Sequence, residues 1–399
     1  MLISAAVPVD PIRDAATLAQ VDEARLGFSA AYLSVGPLSN VLDTLTLLTI
    51  AQHVAMLLWA ILVYVLVRVL LARRRTSSTR REVVAAALFI AGVVLVYVVG
   101  ALAPRPMAAI VLSDPDVITI DFHAHTKYSH DGRPGWSDED VRQWHRGAGY
   151  DAVYVTDHRT TEGAERGIAS NAGQAGEGTM ILQGLEAVYR GEHVNILSAG
   201  RRYHGLTDAA LRDVDERALA LASFLPATAP VLIETIPGNL DKVPVTTETA
   251  PGVGAIEIVD GSPRGLAQGR RDRQRIAHIA DSLNLVLVTG SDNHGWGRTA
   301  PGWTLIRVPG WRGMATDSLS RRIEEVMRVI RRGATRTVER RVAGATQPIA
   351  VIFTGPLVVW RMFTVLSADE RVMWLLWSWV LVVLVRGYRR YRLRPSATA

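Results

Sequence analysis

The chain has 399 residues, enough for one enzyme-sized domain of about 200–250 residues with further segments to spare. Hydrophobic residues make up 49% and mean hydropathy is +0.16, an excess gathered into runs that point to membrane segments. The formal charge of +6 comes from arginine clustered outside the central region, and the absence of cysteine excludes disulfides, thiolate metal sites and cysteine nucleophiles. Arginine clusters beside apolar runs orient a chain in a membrane and meet anionic headgroups. They do not alternate with stacking aromatics, so no nucleic acid is expected as a partner.

Residues 1–40 form a mixed N-terminal segment without the charged start, apolar centre and cleavage site of a signal peptide. A transmembrane helical hairpin is expected over 41–104. Leu45–Leu71 is almost wholly apolar, interrupted by His53 and Arg68, and Val83–Ala103 carries no charge. Each is long enough to cross about 30 Å of hydrocarbon as a helix. The connection Ala72–Arg81 holds five arginines.

After Pro104 and Pro106 the texture changes, and 105–312 reads as the catalytic domain. Short β-rich runs occur at Val117–Asp121, Ala152–Thr156, Met180–Leu185, Val194–Leu197, Val231–Thr235, Ala255–Val259 and Leu285–Thr289. Between them lie helical candidates at Asp138–Gly147, Thr207–Phe224 and Arg270–Leu283. Strands alternating with helices predict parallel βα units, and seven of them predict a closed barrel.

Over 313–345, the arginine-rich stretch Asp317–Val342 places Ile323, Val326, Met327 and Ile330 at helical spacing. This predicts an amphipathic juxtamembrane helix lying on headgroups, with a solvated helix capping the barrel as the alternative. The region 346–387 holds one or two further spans. Pro348–Leu366 is interrupted by Gly355, Pro356 and Arg361 and reads as re-entrant or interfacial, whereas Val372–Val385 carries Trp374, Trp377 and Trp379 suited to an interface. Residues 388–399 are a basic tail. The expected location is the cell membrane, multi-pass, with the 72–81 loop inside and the catalytic domain extracytoplasmic. The tail also lies inside if the last hydrophobic region crosses once; four spans would separate tail and loop.

The chemistry is announced at Ile120-Asp121-Phe122-His123-Ala124-His125-Thr126. Residues i and i+2 of a strand share a face, so His123 and His125 project together from a strand's C-terminal end, where barrel enzymes place their sites. Asp131 follows in Ser-His-Asp-Gly, and later β-runs end or begin with Asp157-His158, Glu186, His193 and Asp292-Asn-His294. Capping of βα loops accounts for an acid or two, but not for histidines accompanying them at nearly every strand end. Imidazole and carboxylate donors suit zinc, manganese or iron. Arg298, four residues after His294, and Arg190, between Glu186 and His193, are candidate phosphate clamps. Lys127 is a weaker one, and His130 is a candidate ligand or proton shuttle. His145, His204 and His278 read as structural.

Residues 117 to 300, nearly half the chain, resemble the polymerase and histidinol phosphatase (PHP) family of metal-dependent hydrolases. The matching motifs are His123-Ala-His125-Thr126 with Ser129-His-Asp131-Gly132, Thr156-Asp157-His158, Gly184-x-Glu186, His193, and Ser291-Asp292-Asn-His294. The resemblance implies an α/β fold, a distorted (βα)7 TIM-like barrel, here flanked by transmembrane helices. It also implies two or three divalent metal ions and phosphoester cleavage. By position, His123, His125, Glu186 and Asp292 would surround one metal. Glu186 would bridge to a second, held also by His193, and Asp131, His158 and His294 would hold a third, with Asp157 orienting ligands. One position departs: the family's His-Pro pair is Ile236-Pro237 here. Isoleucine cannot bind metal, so Glu234 or water takes its place, or the second site is weak or empty.

The function these features predict is a membrane-anchored metal-dependent phosphoesterase using a metal-bound hydroxide, since metals lower the pKa of water from 15.7 to about 7. Glu186, Asp292, Asp157, Arg298 and Arg190 are the expected catalytic residues. The expected partners are the lipid bilayer and a phosphoester, with a lipid-linked one suggested by the anchor; oligomeric state is left open. Alternatives are a metallohydrolase of a carboxylic ester, amide or carbamate, and a non-catalytic metal- or ligand-sensing membrane module, for which Ile236 is the one favouring feature. The spans lack the charges of a translocation path, which argues against a transporter.

Overall fold

A computed structural model describes residues 9–72, 78–158, 160–197, 230–235, 240, 242–247, 252–340 and 353–392. In chain order these residues form β1 (Ile12–Asp14), β2 (Ala24–Gly27), α1 (Ala30–Ser34), α2 (Gly36–Thr46), α3 (Ile50–Ala72), α4 (Thr79–Leu102), β3 (Ala109–Leu112), β4 (Val117–Ala124), α5 (Asp138–Ala148) and β5 (Ala152–Val155). There follow α6 (Glu162–Ala169), β6 (Met180–Tyr189), β7 (Glu192–Leu197), β8 (Leu232–Glu234), β9 (Ala255–Asp260), α7 (Pro263–Ala267), α8 (Arg270–Leu283) and β10 (Val286–Gly290). The last elements are β11 (Gly302–Arg307), α9 (Thr316–Ile330), β12 (Thr335–Arg340), α10 (Thr354–Thr364) and α11 (Ala368–Arg392).

Ten strands make one curled sheet in the order β1-β12-β11-β4-β5-β6-β7-β8-β9-β10. Its β10 end curls round to β4: Ala124 bridges Asn293, His123 O accepts from Asp292 N at 2.9 Å, and Asn293 O accepts from His125 N at 3.1 Å. The buried Asp121 adds a clasp, taking the Ser291 N–H at 2.9 Å on one oxygen and His145 Nε2 at 2.7 Å on the other. One face of the sheet encloses Ile120, Phe122, Tyr154, Leu182, Ile233 and Val288, and Leu319, Ile323 and Met327 of α9 join the same cluster. The other face carries helices α5, α6 and α8. Helix α5 shows why they form where they do: Ser137 and Asp140 make a reciprocal capping box, and Gly149 ends the helix in the left-handed region at φ 85°.

All seven β-rich runs are strands, but they are not seven parallel βα units. Strand β7 runs antiparallel to both β6 and β8. The cause is local: Arg190 (φ 55°) and Gly191 (φ 85°) make the two-residue turn with both φ positive that closes a tight hairpin. The predicted helix Thr207–Phe224 lies outside the described residues.

Four further boundaries move. The N-terminal segment is no separate unit, because β1 pairs with β12 and β2 with β3. Leu45–Leu71 is not one continuous helix; α2 ends at Thr46, and Leu47 and Leu48 are buried before α3 begins. The stretch 313–345 is not one helix. Helix α9 spends its apolar stripe on the barrel core, and β12 follows it into the sheet beside β11. Within Pro348–Leu366 the described helix α10 has 11 residues, about 16 Å at 1.5 Å per residue and short of a bilayer.

Two helices are long and apolar enough to cross a membrane, α3 over Ile50–Leu71 and α4, at mean hydropathies of 2.6 and 2.7. They pair through a Tyr64–Phe89 stack and present Leu58, Leu62, Leu88 and Leu95 outward. Among the C-terminal tryptophans, Trp374 Nε1 donates to Asn40 Oδ1 and Trp377 Nε1 to Ser34 O, which ties the start of α11 to α1 and α2.

Candidate metal centre

The barrel's C-terminal rim gathers the predicted ligands. A register shift between Asp121 and Ala124 in the β4–β5 pairing turns the end of β4 inward, so that His123 and His125 share the face of Glu186. Their Nε2 atoms lie 3.0 Å apart, and Glu186 Oε2 is 3.0 Å from the first and 3.3 Å from the second. Asp292 Oδ1 stands 3.4 Å and 3.3 Å from the same two nitrogens. Asp292 holds a left-handed backbone (φ 46°), which aspartate tolerates better than most residues. The preceding Gly290 is required by space, since a Cβ there would collide with Glu257 and His123.

The remaining ligands surround this group. His193 Nδ1 lies 2.7 Å from Glu186 Oε1, and His158 Nε2 is 3.4 Å from Glu186 Oε2 and 3.5 Å from Asp131 Oδ2. His294 Nε2 is 3.1 Å from Asp131 Oδ2. Three triads, His123–His125–Asp292, His125–Asp131–His294 and His125–His158–Glu186, each bring one donor atom per residue within 4.8 Å of the others. His130 with Asp131 and His158 makes a fourth, more exposed one. Asp157 stands behind the donors, accepting from Thr126 N and Thr126 Oγ1 at 2.6 Å each.

Electrostatics match a cation site. Burial would lower the pKa of His123, but Glu257, Glu186 and Asp292 outweigh it and hold the ring well above the usual imidazole range. His125 is likewise pushed up to about 9, its burial outweighed by hydrogen bonds with Asp292 and Glu186. For Glu186, burial is overcome chiefly by His123, so the carboxyl stays ionised well below its ordinary value. His158, dominated by burial, falls to about 4 and presents a neutral ring. Nitrogen and oxygen donors of both kinds, mostly buried and facing one another, fit divalent metal ions.

The arginines go elsewhere. Arg190 donates to Val245 O at 2.6 Å from an exposed turn, and Arg298 Nε faces Arg105 O at 3.4 Å. Neither makes a described contact with the ligand set. His145, read as structural, supports Asp121. The tight turn also decides the place of Glu234: paired with Val194, it faces the opposite side of the sheet from His193 and cannot replace the ligand missing at position 236. Position 236 itself lies outside the described residues.

Sequence reasoning missed Glu257 and Asp260 on β9. Glu257 Oε1 is 3.0 Å from His123 Nδ1, with Asp260 Oδ2 at 3.9 Å, and all three are buried. The signal was present in Ala255-Ile-Glu-Ile-Val-Asp260, a core strand with two acids. Arg133 was missed as well. Its N–H donates to His294 O at 3.0 Å, and its guanidinium lies 4.9 Å from the Trp136 ring and 5.8 Å from Trp296.

No family model and no curated protein matches the chain. Among solved structures, PsfC from Pseudomonas syringae PB-5123 aligns at 16% identity over 61% of this chain and 96% of its own, with a TM-score of 0.38. A protein described as a metal-dependent phosphoesterase, from Bifidobacterium adolescentis, aligns at 18% identity over 50% and 93%, with a TM-score of 0.29. A lesion-specific endonuclease from Pyrococcus furiosus aligns at 11% identity over 48% and 52%, with a TM-score of 0.33.

Proposed function

We propose that this chain is a metal-dependent phosphoesterase held in a membrane by α3 and α4. The observation that carries the reading is the convergence of five imidazoles and three carboxylates at one barrel rim, from the ends of β4, β5, β6, β7 and β10 and the loop at Asp131. His123, His125, Glu186 and Asp292 would hold one ion, His193 would extend Glu186 to a second, and Asp131, His158 and His294 would hold another. Bound there, divalent ions supply Lewis-acid activation of water and neutralise charge on phosphoryl oxygens. The chain's own residues do the rest. Asp157 fixes the Thr126 backbone beside His125, Glu257 orients His123 from behind, and Arg133 ties the His294 loop through its backbone N–H. No protein nucleophile is needed.

The same reading extends to topology. The N-terminal strands and the barrel lie together, so the α3–α4 hairpin leaves and returns on one side, which puts the arginine-rich 72–81 loop across the membrane. Helix α11 starts at the barrel side with Glu370 and Trp374 and exposes Leu381, Val383 and Leu384 farther on. It serves as a third crossing and brings Arg386–Arg392 to the side of the loop, leaving the barrel extracytoplasmic. The full chain, purified in detergent, is expected to carry two or three zinc, manganese or iron ions. It should hydrolyse a phosphomonoester or phosphodiester from a panel that also holds carboxylic esters. His123→Ala should lower turnover about 10³-fold, the several kcal/mol a ligand contributes to transition-state charge. Unchanged turnover in that variant would overturn the mechanism, and activity confined to carboxylic esters would replace the substrate class.

A further inference from the structure

The metal rim opens into a cleft of 430 Å³ with a mixed wall. Asp131, Asp292 and His294 line it together with Leu47, Leu266, Trp144 and Trp296, among small polar residues such as Ser262 and Thr299. The apolar part of this wall reaches the base of the hydrophobic hairpin. Leu47 lies three residues before α3 begins and packs in one cluster with Leu266 of α7. Gly297, three residues beyond His294, donates its N–H to Ala101 O at 2.9 Å, one residue before α4 ends. Thus the loop that carries a metal ligand is bonded directly to the end of a long apolar helix. Trp296 at that junction is 53% exposed, an apolar surface with no described partner other than the Arg133 guanidinium.

A small hydrophilic phosphate needs no such wall. We propose that the cleft seats an apolar chain, so that the substrate is an amphiphilic phosphoester whose phosphate meets the Asp292–His294 rim while its tail lies along Leu47, Leu266 and Trp296. This rests on the phosphoesterase reading of the same site. In the reaction, water adds its oxygen to phosphorus, the ester P–O bond breaks, and the alcohol leaves with a proton taken from that water.

The test measures binding of decylphosphonate and methylphosphonate to the metal-loaded full chain in nanodiscs, with protein-free discs subtracted. The decyl compound should bind roughly tenfold tighter or more, the worth of about two buried methylenes. Leu266→Asp and Trp296→Ala should bring the ratio towards one; Trp296 is exposed, so its variant reports even if the other fails to fold. Equal binding by the native chain, or a decyl preference that survives Trp296→Ala and a folded Leu266→Asp, overturns the inference. Methyl and decyl mono- and diesters run alongside separate the two readings. If none is hydrolysed while the phosphonate preference holds, the phosphoesterase reading fails and the apolar-chain site stands. If both chain lengths are hydrolysed and the phosphonates bind equally, the reverse follows.

Discussion

Two buried polar clusters, one around Asp43 and one around His123, handle charge in opposite ways. At Asp43 the charges cancel within the chain: Arg340 Nη1 lies at 2.8 Å, Arg105 Nη2 at 2.5 Å, and Thr299 Oγ1 and the Tyr32 hydroxyl donate at 2.8 Å and 3.0 Å. Burial would raise the Asp43 carboxyl, yet the two guanidinium groups hold it below its ordinary value. Asn40 extends the network to Glu370 at the start of α11. Around His123 the groups instead face one another across gaps of 3.0–3.4 Å, imidazole towards imidazole and both imidazoles towards the carboxylates of Glu186 and Asp292. The first cluster sets two guanidinium groups against the carboxylates of Asp43 and Glu370 and joins helices to barrel. The second needs added positive charge, which is what distinguishes a binding site from a joint.

That contrast is broken most sharply at Arg340. Removing one partner of a buried ion pair leaves an uncompensated charge and typically costs about 3–5 kcal/mol. Arg340→Ala should therefore lower the melting temperature of the full chain strongly, while folded protein keeps its metal stoichiometry. Loss of metal without loss of stability would mean that the two clusters are one system. A smaller effect is expected behind His123. Glu257→Gln keeps the shape but removes the charge that faces Nδ1 at 3.0 Å. Metal affinity should fall about 10- to 100-fold, as for other residues that orient a ligand from behind, with the melting temperature of the metal-free chain little changed. Chelator competition measures the first and thermal unfolding the second. An unchanged affinity would make Glu257 a bystander.

Much of the second cluster was legible because strand geometry is local. His123 and His125 announce a shared face through their spacing, and the acids and histidines at later strand ends announce a common rim through recurrence. Glu257 escaped because it lies inside an apolar strand rather than at its end, where a lone carboxylate carries no spacing signal. Arg190 misled for a related reason. It stands where asparagine or glycine would mark a hairpin, so its turn geometry, and with it the antiparallel β7, stayed hidden. The first cluster left no trace at all. Asp43, Arg105, Arg340 and Glu370 are joined only by the folded chain, across separations that no periodicity records. Helix α9 shows the limit of pattern alone: Leu319, Ile323 and Met327 make the same stripe whether it meets lipid or a barrel core, and only the packing decides.

A further effect is expected of pH, and it separates the clusters without mutation. In the metal-free chain His125 carries a proton up to about pH 9, against an unfolded value of about 6.5. A raised value means the stabilising contribution is fully present below pH 6.5 and is lost as pH rises through 9. Metal requires the neutral ring, so between these limits each displaced proton should raise affinity about tenfold per pH unit, flattening above 9. His158, neutral above about pH 4, adds nothing to that slope. Calorimetric titrations at pH 7, 8 and 9 in buffers of different ionisation enthalpy count the protons released. At least one should appear at pH 7 and fewer at pH 9. An affinity flat across that range would show that the carboxylates around His125 do not hold a proton there, and that the cluster, like the one at Asp43, is already balanced before any metal arrives.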